Sequence, residues 1–183
     1  MSGKRPALRG RACAVAGALI VALPALAGAE AGKVTSASRV SVAGLGPIKI
    51  GMTERQAERA GQVSLTGTGS GPDCRYLFLR KGTIQADLML NHGRIVRVDL
   101  VRRGLRTTGD IRIGDSEASV RRRFAGWLRI TPAKFVVGGF DLEVRPRNRS
   151  ERNRRLIFGT NGRKVVAVQA GRLPEVRLVE RCG

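Results

Sequence analysis

The side chains of this 183-residue chain best able to do chemistry are three cysteines, one histidine and fourteen carboxylates. Their spacing does not build a catalytic or metal-binding set. His92 is the sole histidine and falls in Asn91-His92-Gly93, a turn tip where a solvated role is expected. A zinc site needs several nitrogen or sulfur ligands, and no such cluster is spaced here. Ser64, Ser70 and Ser150 lie in polar stretches without a nucleophile motif. Gly67-Thr68-Gly69-Ser70-Gly71 is glycine-rich but lacks the lysine and helix start of a phosphate loop, and reads as a flexible connection. Asp87 and Asp99 are expected to share a sheet face with basic neighbours. The chain therefore reads as non-enzymatic and without a cofactor or metal.

The cysteines carry a different chemistry, which depends on the first thirty residues. Lys4, Arg5, Arg9 and Arg11 precede an uncharged run from Ala12 to Ala27, and Ala27-Gly28-Ala29 supplies a small-x-small cleavage pattern. Residues 1–29 are read as a signal peptide cleaved after Ala29. The run is too short and alanine-rich for a retained span, so no transmembrane span is expected in the mature chain. The mature protein is expected to be periplasmic or secreted. Cys13 leaves with the signal, and Cys74 and Cys182 remain. In an oxidising compartment two cysteines pair. The closed loop spans 108 residues, for which chain entropy gives an upper figure of roughly 4–5 kcal/mol.

Losing the signal removes four basic and no acidic residues, so the net charge falls from +20 to +16 over 154 residues. Such a charge draws a domain toward anionic surfaces, unless it reflects a genome-wide preference for arginine. The candidate anionic contacts are Arg102, Arg103, Arg106, Arg121, Arg122 and Arg123, with Arg147, Arg149, Arg152, Arg154 and Arg155 in a basic loop. One tryptophan and one tyrosine make poor stacking platforms, which argues against nucleic acid.

The elements that position these residues read as two copies of one unit. Ile48-Lys49-Ile50-Gly51-Met52-Thr53 recurs 63 residues later as Ile111-Arg112-Ile113-Gly114-Asp115-Ser116. Each is a short strand, a glycine and a helix N-cap; Thr53 and Gln56 have capping-box spacing. Helices are predicted over 54–60 and 117–125, stopped by Gly61 and Gly126. Strands follow over 74–79, 83–90 and 94–101, then over 140–145, 156–160, 163–170 and 176–182. The domain plan is a leader over 30–45, a first repeat over 46–103 and a second over 104–183 with its C-terminal strand.

Arg80-Lys81-Gly82 and Asn91-His92-Gly93 read as three-residue hairpin loops. That register puts Cys74, Tyr76, Phe78, Ile84, Ala86, Leu88, Val96, Val98 and Leu100 on one face, the expected core. The opposite face carries Arg75, Leu77, Leu79, Gln85, Asp87, Met89, Ile95, Arg97 and Asp99, with Asp87 across from Arg97. This mixed face is the candidate binding face; a solvated outer face is its bland alternative.

Ile50-Gly51-Met52-Thr53, Gln56 and Ala60-Gly61 resemble the repeat opening of the β-lactamase inhibitory protein family and of the small outer-membrane assembly lipoprotein (SmpA/OmlA-like). Cys74-Arg75-Tyr76 and Glu180-Arg181-Cys182 resemble the cysteine placements of exported bacterial proteins with the same tandem arrangement. The resemblance implies an α+β fold: tandem helix-plus-antiparallel-meander repeats forming one curved sheet, helices on one face and a concave binding face on the other. Asp115 replaces Met52 in the second copy, and the cysteines lie in different halves, so lactamase inhibition does not carry over. The expected function is an extracytoplasmic protein-binding module, with an anionic envelope polymer or lipid as the alternative partner.

Overall fold

The structure, a computed structural model, describes residues 1, 3, 32–68, 71 and 73–179. Apart from residues 1 and 3, the segment read as a signal peptide lies outside the described residues, as do Gly69, Ser70 and Cys182.

Two capped helices form where the cap chemistry demands. In α1 (Glu54–Gly61), the Thr53 hydroxyl accepts from the Gln56 N–H at 3.3 Å, and the Gln56 side chain accepts from the Thr53 N–H at 2.9 Å. This capping box satisfies two amides that the helix itself cannot. In α2 (Glu117–Arg123), Ser116 caps the Ser119 N–H at 3.2 Å, without a reciprocal partner. The left-handed residue closing α1 is Gln62, at φ 50°, and not the expected Gly61.

The strands form an α+β fold of two sheets. The smaller contains β1 (Arg39–Ser41), β2 (Gly44–Leu45), β3 (Ile48–Lys49) and β8 (Arg106–Thr107), in the order β3-β2-β1-β8. Val34 and Val40 are buried, so part of the segment read as a leader belongs to the core. The larger sheet contains β4 (Thr66–Thr68), β5 (Cys74–Lys81), β6 (Ile84–Asn91) and β7 (Arg94–Leu100). Its other half is β9 (Leu128–Pro132), β10 (Phe140–Val144), β11 (Arg154–Thr160) and β12 (Val165–Arg172). The order is β4-β5-β6-β7-β12-β11-β10-β9, antiparallel throughout, so two four-stranded meanders meet at their last strands.

The hairpin register differs from expectation. Lys81 pairs with Ile84 and Asn91 with Arg94, so both loops have two residues. Gly82, at φ 56°, leads the first turn, and His92 and Gly93, at φ 48° and 71°, form the second. Two-residue turns with left-handed residues match the twist of the strands they join, which three-residue loops with a final glycine do not require. Relative to the expected register, β5 slides by three residues against β6. An odd slide exchanges the faces of a strand. Leu77 and Leu79 therefore enter the core opposite Leu88 and Ala86, while Cys74, Tyr76 and Phe78 turn to the other face. A bulge between Met89 and Leu90 leaves Val96 without a partner of its own, so Ile95 lies in the core and Val96 on the open face. Asp87 lies across from Asp99, and Arg97 across from Met89.

The main core lies on the helix side of the large sheet, where Ala57 and Val120 of the helices join Leu77, Leu88, Val98, Leu142, Phe158 and Val168. At the seam of the meanders β12 comes close to β7. A Cβ on Gly171 would sit 2.3 Å from the Val96 carbonyl oxygen, so only glycine fits there. Of the expected C-terminal strand over 176–182, residues 180–182 lie outside the described residues, and the described part begins instead in a 3₁₀ turn, Glu175–Arg177, entered through a cis Leu173-Pro174 bond.

Candidate functional site

The open face of the large sheet, opposite the helices, can be followed strand by strand. One row of cross-strand partners runs Thr68–Tyr76–Met89–Arg97–Gly171–Arg155. The next runs Phe78–Asp87–Asp99–Gln169–Ile157–Glu143–Arg129. A third, in the second meander, runs Ala167–Gly159–Asp141–Thr131.

Over the first meander this face is closed. Arg97, 1% exposed, donates to both Asp99 and the Tyr76 hydroxyl, and the Tyr76 hydroxyl donates to Asp99 at 3.1 Å. Its other nitrogen donates to the carbonyls of Glu175 and Leu178, at 2.9 and 2.8 Å. Residues 173–179 thus lie across the sheet as a strap whose own Val176 is fully buried. Glu175 fastens the strap to Arg172 at 2.8 Å and to Asn91 at 3.1 Å. Arg177 fastens it to Glu143, which also holds Arg155 at 2.8 Å. Burial raises the affinity of Glu143 for its proton, but hydrogen bonds from Arg177 and Arg155 outweigh it and hold the carboxyl below its ordinary range. Cys74 beneath this region is disulfide-bonded.

The expected binding face is therefore redistributed. Leu77, Leu79 and Ile95 are core residues. Arg75 points to the helix side and pairs with Glu54 of α1. Asp87, paired with Arg80, joins Met89, Arg97 and Asp99 on the open face, all buried. Gln85 is half-buried and donates to the Gly82 carbonyl. The physical reason is the register slide and the Met89/Leu90 bulge together with the strap.

Over the second meander the face is open, and a groove of about 450 Å³ lies there. Gly159, Ala167, Ile157 and Asp141 are among its lining residues, and Phe135, Val136, Val166, Leu178 and Val179 are exposed apolar residues along it. Val166 is the extra residue of a bulge between Gly159 and Thr160, the device by which a strand re-aims a side chain. Two of the lining residues, Leu178 and Val179, come from the strap. Burial pushes the Asp141 carboxyl above its ordinary range. Sequence reasoning missed this groove. The signal was the apolar run Phe135-Val136-Val137 between Lys134 and Gly138, followed by a strand alternating Asp141 and Glu143 with apolar residues.

The candidate anionic contacts are spread. Arg102, Arg103, Arg122, Arg123, Arg147, Arg149 and Arg152 are exposed. Arg106, Arg121, Arg154 and Arg155 are held by Asp110, Glu117, Glu151 and Glu143. Arg147 lies 4.5 Å over the Trp127 ring. His92 meets Asp73 at 3.2 Å on the surface. Among the described residues no helix is long and apolar enough to cross a membrane.

No protein-family model and no curated sequence matches the chain. Among solved structures it is similar to the uncharacterized protein yfeY from Escherichia coli, at 14% identity and a TM-score of 0.46, covering 73% of this chain and 99% of that one. It is also similar to an extracellular protein containing an SCP domain from Bacillus anthracis, at 8% identity and a TM-score of 0.46, covering 70% of this chain and 45% of that one.

Proposed function

We propose that the chain is an exported, non-enzymatic binding protein that holds an extracytoplasmic protein in the groove over β9–β12. The observation that carries this reading is the convergence of exposed Phe135, Val136, Val166, Leu178 and Val179 on one cavity. Exposed apolar surface gathered in one place marks an interaction site more often than scattered apolar residues do. The scaffold is read as two tandem helix-plus-meander units, as the resemblance to the β-lactamase inhibitory proteins implies. Three correspondences support it. Gly51 donates to Ile95 and Ile95 to Met52; likewise Gly114 donates to Val165 and Val165 to Asp115, all within 2.7–2.9 Å. Each of those last strands then bulges at the next residue, Val96 or Val166. Each unit opens with a hydroxyl-capped helix.

The test is capture from envelope and culture fractions at low and high salt, with wild type beside a Phe135→Ser/Val166→Ser double variant. The expected result is a partner retained at high salt by wild type and lost by the variant at unchanged melting temperature. Equal capture by both discards the groove. The second reading, an anionic polymer or lipid, draws on the seven exposed arginines named above. It predicts capture that collapses with salt and is indifferent to the double variant.

A further inference from the structure

Asp141 stands apart in a chain with 34 basic and 14 acidic residues. Of the twelve described carboxylates, nine sit in ion pairs with arginine and Asp73 meets the His92 imidazole. Glu58 accepts from the Leu65 N–H at 3.0 Å. The Asp141 carboxylate alone has neither an ion pair nor a hydrogen bond among the described residues, although the residue is half-buried on the groove floor. A carboxylate partly withdrawn from water without a partner is less favourable than one that is paired.

The two meanders indicate what is missing. Counting from each bulge, Arg97 of the first corresponds to Ala167 of the second, Met89 to Gly159 and Tyr76 to Asp141. In the first meander the row Tyr76–Met89–Arg97 is filled, carries its own cation, and lies under a peptide segment, the 173–179 strap with its 3₁₀ turn. In the second the row Asp141–Gly159–Ala167 has a carboxylate, no cation, and two small residues that leave the space above the sheet empty. We infer that the groove takes a short peptide segment of a partner protein, apolar on either side of one cationic side chain, which lies over Gly159 and Ala167 and pairs with Asp141. The partner supplies to the second meander both the covering segment and the cation that Arg97 and the strap supply to the first. This rests on the groove being the binding site. It adds the chemistry of the occupant. The nearby cations do not serve instead: Arg177 is taken by Glu143, Lys134 lies 4.9 Å over the Phe135 ring, and Arg129 is exposed opposite Glu143.

The test uses the disulfide-bonded mature protein and fluorescein-labelled hexapeptides with one central lysine, acetyl-lysine or glutamate flanked by valines, read by anisotropy at physiological salt. The lysine peptide is expected to bind. Acetylation, or Asp141→Asn, is expected to weaken it by roughly tenfold or more, as for loss of a charge-assisted contact. Ala167→Arg, which gives the second meander a cation of its own, is expected to abolish binding and raise the melting temperature. The inference is overturned if the lysine peptide does not bind, if the glutamate peptide binds as well, or if Asp141→Asn or Ala167→Arg leaves affinity unchanged. Loss of binding in Phe135→Ser/Val166→Ser but not in Asp141→Asn keeps the groove and rejects the cation. Binding indifferent to all of these variants rejects the groove as well.

Discussion

Arg97 shows what a cation does on this face when the chain provides its own. Its guanidinium reaches Asp99, the Tyr76 hydroxyl and two strap carbonyls from a position 1% exposed. Arginine suits the place because its planar fork directs several donors at fixed angles, which a lysine ammonium does not. Removing one member of such a buried set leaves its partner charge stranded. Arg97→Met is therefore expected to destabilise the fold by about 3–5 kcal/mol, and Arg97→Lys to recover only part of that in urea denaturation. A neutral Arg97→Met would mean that the network adds nothing. Asp141 is the reverse case at the same scale. Because burial raises its proton affinity, its charge opposes folding above the ordinary carboxylate range. Asp141→Asn should melt higher than wild type at pH 7 by calorimetry, even where it binds worse. A residue that weakens the fold and improves binding is the usual signature of a site under functional demand.

At the scale of elements, the two helices make unequal use of their caps. Thr53 and Gln56 close a reciprocal box, whereas Ser116 meets Ser119 and caps one amide. Thr53→Ala is expected to lower stability by about 1 kcal/mol, and Ser116→Ala by less, in chemical denaturation. The sequence announced both caps, because capping is a local hydrogen bond between residues three apart. It announced the positions of most strands too, through alternation such as Phe140, Leu142 and Val144 against Asp141 and Glu143. The faces of β5 were not legible. Lys81-Gly82-Thr83-Ile84 is compatible with a two- or a three-residue loop, and the choice between them reverses every side chain of Cys74–Lys81. β9 was missed as well: Leu128–Pro132 is short, ends in proline and lies at the sheet edge, where neither alternation nor β-propensity is enforced by burial on both sides. Asp141 was visible as one of two strand carboxylates. Its lack of a partner was not, because it depends on Gly159 and Ala167 in other strands.

Over the whole molecule, the response to acid follows from three carboxylates with one sign. Glu117, Glu143 and Glu175 are all held below their ordinary value of 4.5; burial acts against this, and hydrogen bonds from Thr160, Arg121, Arg155, Arg177, Arg172 and Asn91 prevail. Groups with lowered values stabilise the fold fully above pH 4.5, and that contribution disappears as the pH falls through their folded values. Asp141 works the other way and offsets a part. The urea midpoint is expected to drop between pH 5 and pH 3, and Glu143→Gln to flatten that drop. A midpoint unchanged over this range would contradict the assignment. The strap has one more consequence, in time. Leu178 and Val179 form part of the groove wall, yet they follow every strand of the sheet in chain order. A chain folded only as far as β12 thus lacks one wall of the groove, and the groove is complete only once residues 173–179 have settled across the sheet.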